Sequence, residues 1–584
     1  METKIGKLGF DIPTQTLSSS QEVNMTPADV MSWRNHLPMA DLGTSAKKIF
    51  QAISDCNKVN LDTKARFEIM EILRTPVQFI CQSLRKHYIN QSSALTKQQL
   101  TIANLAQTLQ LEMSSGYKLI IEQIEEKNDS ELRSTISSIA SQRIIHYFTH
   151  IITRSYQLYT TAPKGTWKEL YLVYQYADKN QLLKKDGLGN DYKHTLLLAA
   201  SFPYQWRQSE QESIYKAAES WISLTSIRND LPSNTEPGYL VIDSARDEPP
   251  LSNARGVISF SPQCKVLDVT QIIDRLKSLL KAIEPNELQA RIAHNNEPEY
   301  SISTSVLRGL IKEWGTPILR IEDRIERSEP VKICIGLMAT HYFINGRRPF
   351  QSVQQNAESN PNESLSLDMP TFGLQGDIIM SGSADIDNVE KPTAYPTYPC
   401  TLINETSNGF DLRWPDDSYP SIQAGEIIGL ERNQEGALTW EVCKICWLQH
   451  ITQGEFRIGI EHLAKEAKAG SAQLIKAGQQ AGYSLRCLLL GSSILLPILP
   501  FKTGSLISVT QDNEAKPREF TLTQVIDATG SYKQFQFNET NIVSEGSSEN
   551  TTTPISPEAT QPKPKKEVEK PKTDDSFDSI WSNL

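Results

Sequence analysis

The chain has 584 residues, enough for roughly four domains at about 150 residues each, or three once linkers are allowed for. Charged residues make up 22% and the formal net charge is -10, an acidic balance that argues against a nucleic-acid backbone as the main partner. No apolar run follows the lysines of the N-terminus, and the longest apolar run, 485–501, is broken by Gly491, Ser492, Ser493, Pro497 and Pro500, whereas a membrane helix needs about 20 mostly apolar residues.

The expectation is therefore a cytoplasmic protein without membrane insertion, in which 485–501 forms two buried strands and a turn. Residues 1–26 read as a flexible N-terminus. From 27 to 230 apolar residues recur at helical spacing: Phe67, Met70, Leu73, Val77 and Ile80 form one stripe, and Ile144, Phe148, Ile151 and Ile152 belong to another. Several such helices in succession predict an all-α bundle or short α-solenoid, whose surface is a candidate for protein partners. His146 and His150 share one face of their helix, but no carboxylate lies between them and nothing supplies the rest of a metal site.

Residues 236–350 alternate strand and helix patterns, as in GYLVIDSA, VTQIIDRLKSLLKAI, SVLRGLIKEW and VKICIGLMA, and predict a mixed α/β module. Arg320, Arg324, Arg327, Arg347 and Arg348 fall here, with Arg347 and Arg348 forming a candidate anion patch. Residues 351–397 are rich in Ser, Asn, Asp and Pro, the composition of a flexible linker.

Between 398 and 541 the pattern turns to strands: CTLINET, GFDLRW, GEIIGLE, LTWEVCKICWL and EFRIGIEHL, then a stretch read as helical, HLAKEAKAGSAQLIKAGQQA, then a second strand-rich unit. The first five strands occupy about 65 residues, which predicts a small barrel or sandwich. Eight cysteines are scattered along the chain, and the one CxxC pair, Cys443 and Cys446, sits in a predicted strand where residues three apart point to opposite faces. Neither a disulfide framework nor a metal site is expected.

Residues 542–575 predict a disordered tail. A last segment, 576–584, places Phe577, Ile580, Trp581 and Leu584 on one helical face, which reads as a docking motif for a protein partner, with a clip onto the protein's own surface as the alternative.

The segment CTLINETSNGFDLRW resembles the signature of the PilZ domain family, whose members are typically bacterial receptors for cyclic di-GMP. The family motif is Asp or Asn, a Ser two residues later, and a Gly three after that; Asn404, Thr406 and Gly409 fill these places, with Thr for Ser. Successive strands GEIIGLE, WEVCKICWL and FRIGIEHL are similar to those of the PilZ barrel in the same order. The resemblance implies a nucleotide-binding role for Asn404, Thr406 and Gly409. It also implies an RxxxR pair some 20 to 30 residues before the Asn, to bind phosphates and stack on guanine. No arginine lies between Arg348 and Arg413. Charge-assisted hydrogen bonds contribute about 1.5–3 kcal/mol each, so lacking two arginines would cost roughly 100- to 10,000-fold in affinity.

The sequence thus predicts a multidomain α+β protein: a helical domain, an α/β module and a PilZ-like antiparallel β-barrel with a degenerate motif. The expected function is a bacterial signalling adaptor in cyclic di-GMP-linked control of motility, attachment or secretion. It would act through protein contacts, with weak or absent nucleotide binding and no cofactor. The alternative is a structural scaffold with a helical partner-binding surface and no nucleotide ligand. No nucleophile, base and orienter stand together in any motif, so no enzyme is expected.

Overall fold

The protein is described from a computed structural model covering residues 2–91, 95–185, 187–230, 237–252, 261–283, 289–294, 297–315, 324–348, 350, 395–414, 422–434, 437–452, 455–476, 479–511 and 517–540. The expected linker, apart from 395–397, and the tail with Phe577, Ile580, Trp581 and Leu584 lie outside the described residues, as does Arg320.

The N-terminal domain is a helical bundle: α1 (Pro27–Asn35), α2 (Leu42–Lys58), α3 (Thr63–Arg85), α4 (Lys97–Lys127), α5 (Ser130–Thr135), α6 (Ser137–Gln157), α7 (Thr166–Lys179), α8 (Leu188–Ala200) and α9 (Gln208–Trp221). Helices α2, α3 and α4 start at side-chain caps. Asp62 accepts from Lys64 N at the start of α3, and Thr96 and Gln99 form a capping box on α4. Met70, Leu73, Val77 and Ile80 of the predicted stripe are buried in the core with Ile144, Phe148, Ile151 and Ile152.

Residues 2–26 are not the flexible segment expected. They form a hairpin of β1 (Thr3–Ile5) and β2 (Asp11–Pro13) held on the bundle by its alternate side chains, with Phe10 0% and Ile12 2% exposed. Glu122 of α4 accepts from Leu8 N at 2.9 Å, and Lys118 Nζ donates to Asp11 O at 2.8 Å. Two buried residues in a short hairpin leave too brief a pattern to read from sequence.

The mixed module has an antiparallel sheet of β3 (Ser226–Arg228), β4 (Tyr239–Asp243), β5 (Leu251–Ser252) and β6 (Cys264–Asp268) in the order β3-β6-β4-β5. It continues through α10 (Thr270–Ala282), the hairpin β7 (Gln289–His294) and β8 (Glu297–Ser303), and α11 (Thr304–Gly315). Leu240, Leu267, Ile272 and Trp314 join the same hydrophobic cluster as the helices. The ring of Trp314 meets that of Trp221 edge-on, with centroids 6.3 Å apart.

The next strand, β9 (Ile325–Ile335), falls within 236–350 in sequence but belongs to the first of two closed barrels, and this corrects the expected module boundary. After β9 come α12 (Leu337–Ile344), β10 (Tyr398–Thr406), β11 (Gly409–Trp414), β12 (Ile427–Gln434), β13 (Ala437–Thr452) and β14 (Glu455–Ala464). The first barrel closes in the order β10-β11-β14-β13-β12-β9. Val331 and Ile333 enter its core with Leu402, Leu412, Ile428, Leu430, Cys443, Ile445 and Ile458. Without β9, edges on β10 and β12 would stand open.

The second barrel contains β15 (Lys468–Lys476), β16 (Gln479–Leu490), β17 (Ser493–Leu496), β18 (Leu506–Gln511), β19 (Arg518–Ala528) and β20 (Lys533–Glu539), closed as β15-β16-β17-β20-β19-β18. The stretch read as helical, HLAKEAKAGSAQLIKAGQQA, is strand: it holds the end of β14, all of β15 and the start of β16. Ala, Lys and Gln favour helix locally, but β15 pairs on one side with β16 and on the other with β18, and Ala472 is fully buried. Sheet pairing and burial override the local preference. The barrels share a seam of Ile427, Val442, Ala469, Leu488, Leu495 and Tyr532. The Lys444 ammonium bridges it, 2.9 Å from Glu461 and 3.1 Å from Asp527.

Candidate nucleotide-binding site

The Asn404, Thr406 and Gly409 motif forms the tip of the β10–β11 hairpin. Thr406 pairs with Gly409 across a turn of Ser407 and Asn408, and Asn404 pairs with Asp411. The register of β10 shifts between Leu402 and Asn404 against both β9 and β11; such a bulge re-aims the side chains beyond it. Asn404 Nδ2 donates to Asp411 Oδ2 at 3.1 Å, and Thr406 Oγ1 donates to Gly409 O at 3.2 Å. Gly409 has no room for a side chain: a Cβ there would lie 2.6 Å from Ile460 O.

The tip is dense in charge. Asp411 is 4% exposed and accepts from the Arg457 guanidinium, with Nε at 3.2 Å. Glu405 binds two arginines, Arg327 Nε at 3.2 Å and Arg432 Nη2 at 3.4 Å. The Arg432 guanidinium also sits 5.0 Å from the Phe410 ring centroid. Three guanidinium groups around one hairpin could bind phosphate, but Glu405 and Asp411 already compete for them.

The remaining predicted cations fall in two places. Arg347 and Arg348 follow α12 and are exposed, with the Arg347 guanidinium 5.7 Å from the Phe343 ring. Among the described residues, no hydrogen bond or ion pair joins either to the hairpin. Arg324 lies elsewhere. The β9–β10 register pairs Asn404 with Glu326 and Glu405 with Ile325, so the next residues outward on the two chains are Thr406 and Arg324. Arg324 is exposed at this rim.

Sequence reading missed the consequence. Arg320, Ile321, Glu322, Asp323 and Arg324 are an RxxxR segment, and it stands directly before β9. Counting residues back from Asn404 passes over it, because 336–397 intervene between β9 and β10. The signal that could have found it was VKICIGLMA itself, an apolar strand that the α/β module does not pair.

Cys443 is buried in the barrel core, while Cys446 faces Glu461 with Sγ 3.8 Å from Oε2. In the helical domain, the His146 and His150 rings meet edge-on at 4.4 Å. Burial, with Arg143 and Arg74 nearby, holds His146 down at about 4. Burial, with His146 and Arg154 beside it, holds His150 at about 3. Among the described residues no group of three or more His, Cys, Asp or Glu side chains could hold a metal, and no helix is long and apolar enough to cross a membrane.

Three family models match the chain in succession. Residues 28–233 match the N-terminal domain of "Cyclic-di-GMP receptor FimW". Residues 239–375 and 374–469 match its middle PilZ domain, and 470–540 the FimW C-terminal beta-barrel domain. The chain is 28% identical over 635 residues to a Pseudomonas aeruginosa protein described as "Cyclic-di-GMP receptor FimW", with 100% of both chains covered. No solved structure matches it.

Proposed function

We propose that this chain, which belongs to the PilZ domain family, is itself a cyclic di-GMP receptor. The nucleotide would bind at the rim where β9 meets the β10–β11 hairpin. Arg320 and Arg324 would take the phosphates and stack on guanine, and Asn404, Thr406 and Gly409 would form the facing wall. The observation that carries this reading is the pairing of Glu405 with Ile325, which puts Arg324 beside the hairpin although 79 residues lie between Arg324 and Asn404 in sequence.

The expectation of weak or absent binding rested on a pair of arginines missing just before Asn404. The residues before β9 carry an RxxxR pair in sequence, Arg320 and Arg324, and the pairing of β9 with β10 supports a role for it at the hairpin. Glycine at 409 lets the hairpin backbone lie close against Ile460 O of β14, and a planar guanidinium gives bidentate contacts that lysine cannot. The similarity to a protein described as a cyclic di-GMP receptor supports the same ligand.

In this reading the protein is a bacterial cytoplasmic signalling adaptor in motility, attachment or secretion. Its output would pass to a protein partner through the helical domain and the tail segment Phe577, Ile580, Trp581 and Leu584. The second reading, a scaffold without nucleotide, is favoured by one observation: Asn404 and Arg457 already donate to Asp411, and Arg432 is already paired with Glu405.

Isothermal calorimetry with cyclic di-GMP on the full chain separates the two. Saturable heat should appear, and Arg324→Ala should weaken binding about 10- to 100-fold, the worth of one charge-assisted contact. Arg320→Ala should act alike, while Arg347→Ala with Arg348→Ala should leave affinity unchanged. The absence of heat at high micromolar nucleotide supports the scaffold.

A further inference from the structure

The helical domain encloses a second polar site, remote in the fold from the hairpin. A cavity of about 360 Å³ opens between α3, α4, α6 and α9, at the small end of the range of ligand sites. Arg154 lines it from α6 and is only 6% exposed. Its Nε donates to Tyr88 Oη at 3.1 Å and its Nη2 to Gln110 Oε1 at 2.5 Å, both neutral acceptors. Among the described residues its Nη1 is buried without a hydrogen-bond partner, as are Tyr147 Oη and Thr153 Oγ1 from the same lining.

The charges in the cavity do not balance. Glu212, the carboxylate of the lining, is bound by Arg85 at 2.6 Å and Lys216 at 3.6 Å. His146 and His150 are held neutral at neutral pH by burial. Among the described residues, that leaves the Arg154 guanidinium as a buried charge with no paired anion. Such a charge is costly, and a bound oxyanion would offset it with charge-assisted hydrogen bonds.

We propose that this cavity binds a small organic anion, a carboxylate or phosphate carried on a planar ring. Arg154 Nη1 donates to the oxyanion, and the Tyr147 and Thr153 hydroxyls complete its shell. The crossed imidazoles of His146 and His150, 4.4 Å apart, supply a neutral aromatic wall for the ring. Neutral rings suit this task, since they add donors without adding charge.

The test uses the full chain and three probes: benzoate, phenyl phosphate and inorganic phosphate, titrated by calorimetry to low millimolar concentration. Benzoate or phenyl phosphate should bind saturably at one site and more tightly than inorganic phosphate, and which of the two binds better identifies the oxyanion. Arg154→Gln should weaken that binding at least about tenfold. Thr153→Val, which keeps shape and charge, should weaken it severalfold and holds the test if Arg154→Gln fails to fold. Arg324→Ala should leave it unchanged. No saturable heat from any probe overturns the proposal, and so does binding that survives both cavity variants. Equal binding of inorganic phosphate and phenyl phosphate overturns the role given to the ring.

Discussion

Arg207 Nη2 donates to Ser531 Oγ at 2.6 Å, tying the start of α9 to the last hairpin of the second barrel. The same guanidinium donates from Nε to Ala424 O of the first barrel at 3.0 Å. One side chain thus joins the helical domain to both barrels. Gly530 makes room for it, since a Cβ there would lie 2.1 Å from Arg207 Nη1. A second tie lies nearby, where Thr160 bridges to His450 and Tyr159 enters the first barrel's core cluster.

Arg207→Ala should therefore loosen the barrels from the helices without unfolding either. Two contacts from a charged group are worth about 1.5–3 kcal/mol each at most, and partial exposure reduces this, so a loss on the order of 2 kcal/mol is expected. Calorimetric melting should show a lowered or split transition. A single transition at the wild-type temperature would show that the junction contributes nothing.

Gly409→Ala should destabilise the first barrel by about 1–3 kcal/mol, the usual cost of forcing atoms into a packed site. The obstacle is Ile460 O, a backbone atom in the β11–β14 ladder, which cannot rotate away. The same change should weaken cyclic di-GMP binding, because the hairpin must shift to relieve the contact. A melt and a titration on the same variant check both.

How far the sequence disclosed this site follows from what local pattern can carry. Asn404, Thr406 and Gly409 were legible because they lie within one hairpin, where spacing and position coincide. The helical stripes were legible for the same reason. Arg324 was not, because its place beside Thr406 depends on β9 pairing with β10 across residues 336–397, a long-range pairing that no local period encodes. The error at HLAKEAKAGSAQLIKAGQQA has a related cause: its alanines fit the sheet only because β16 and β18 flank them. The N-terminal hairpin was missed because Phe10 and Ile12 are too few to show alternation.

Glu405 offers a test of the electrostatics. Its carboxylate holds Arg327 and Arg432, two cations beside the proposed phosphate position. Glu405→Gln removes the competing charge while keeping the side chain's size. Cyclic di-GMP affinity should rise severalfold, since each partly exposed pair released is worth on the order of 0.5–1 kcal/mol. High salt should narrow the difference between variant and wild type. Weaker binding in Glu405→Gln would mean that the carboxylate orients these arginines for the ligand instead of competing with it.

Acid should destabilise the helical domain through His146 and His150. Both have an ordinary value of 6.5 but stand at about 4 and about 3 in the folded protein. The unfolded chain therefore binds more protons across this interval, and their contribution to stability is complete above pH 6.5 and is lost as pH falls toward 4. Buried carboxylates oppose this. Burial raises Glu112 and Glu122 above their ordinary 4.5, so the folded state binds more protons at these groups and gains stability on acidification. Glu71 acts with the histidines but only below 4.5, because against burial its hydrogen bonds from Arg143 and Tyr117 lower its value. The histidine part is isolated by comparing wild type with a His146→Gln, His150→Gln double variant. Between pH 6.5 and 4.5 the melting temperature of the wild type should fall more steeply than that of the variant. Parallel curves would mean that the imidazoles exchange protons in the folded state as freely as in the unfolded one.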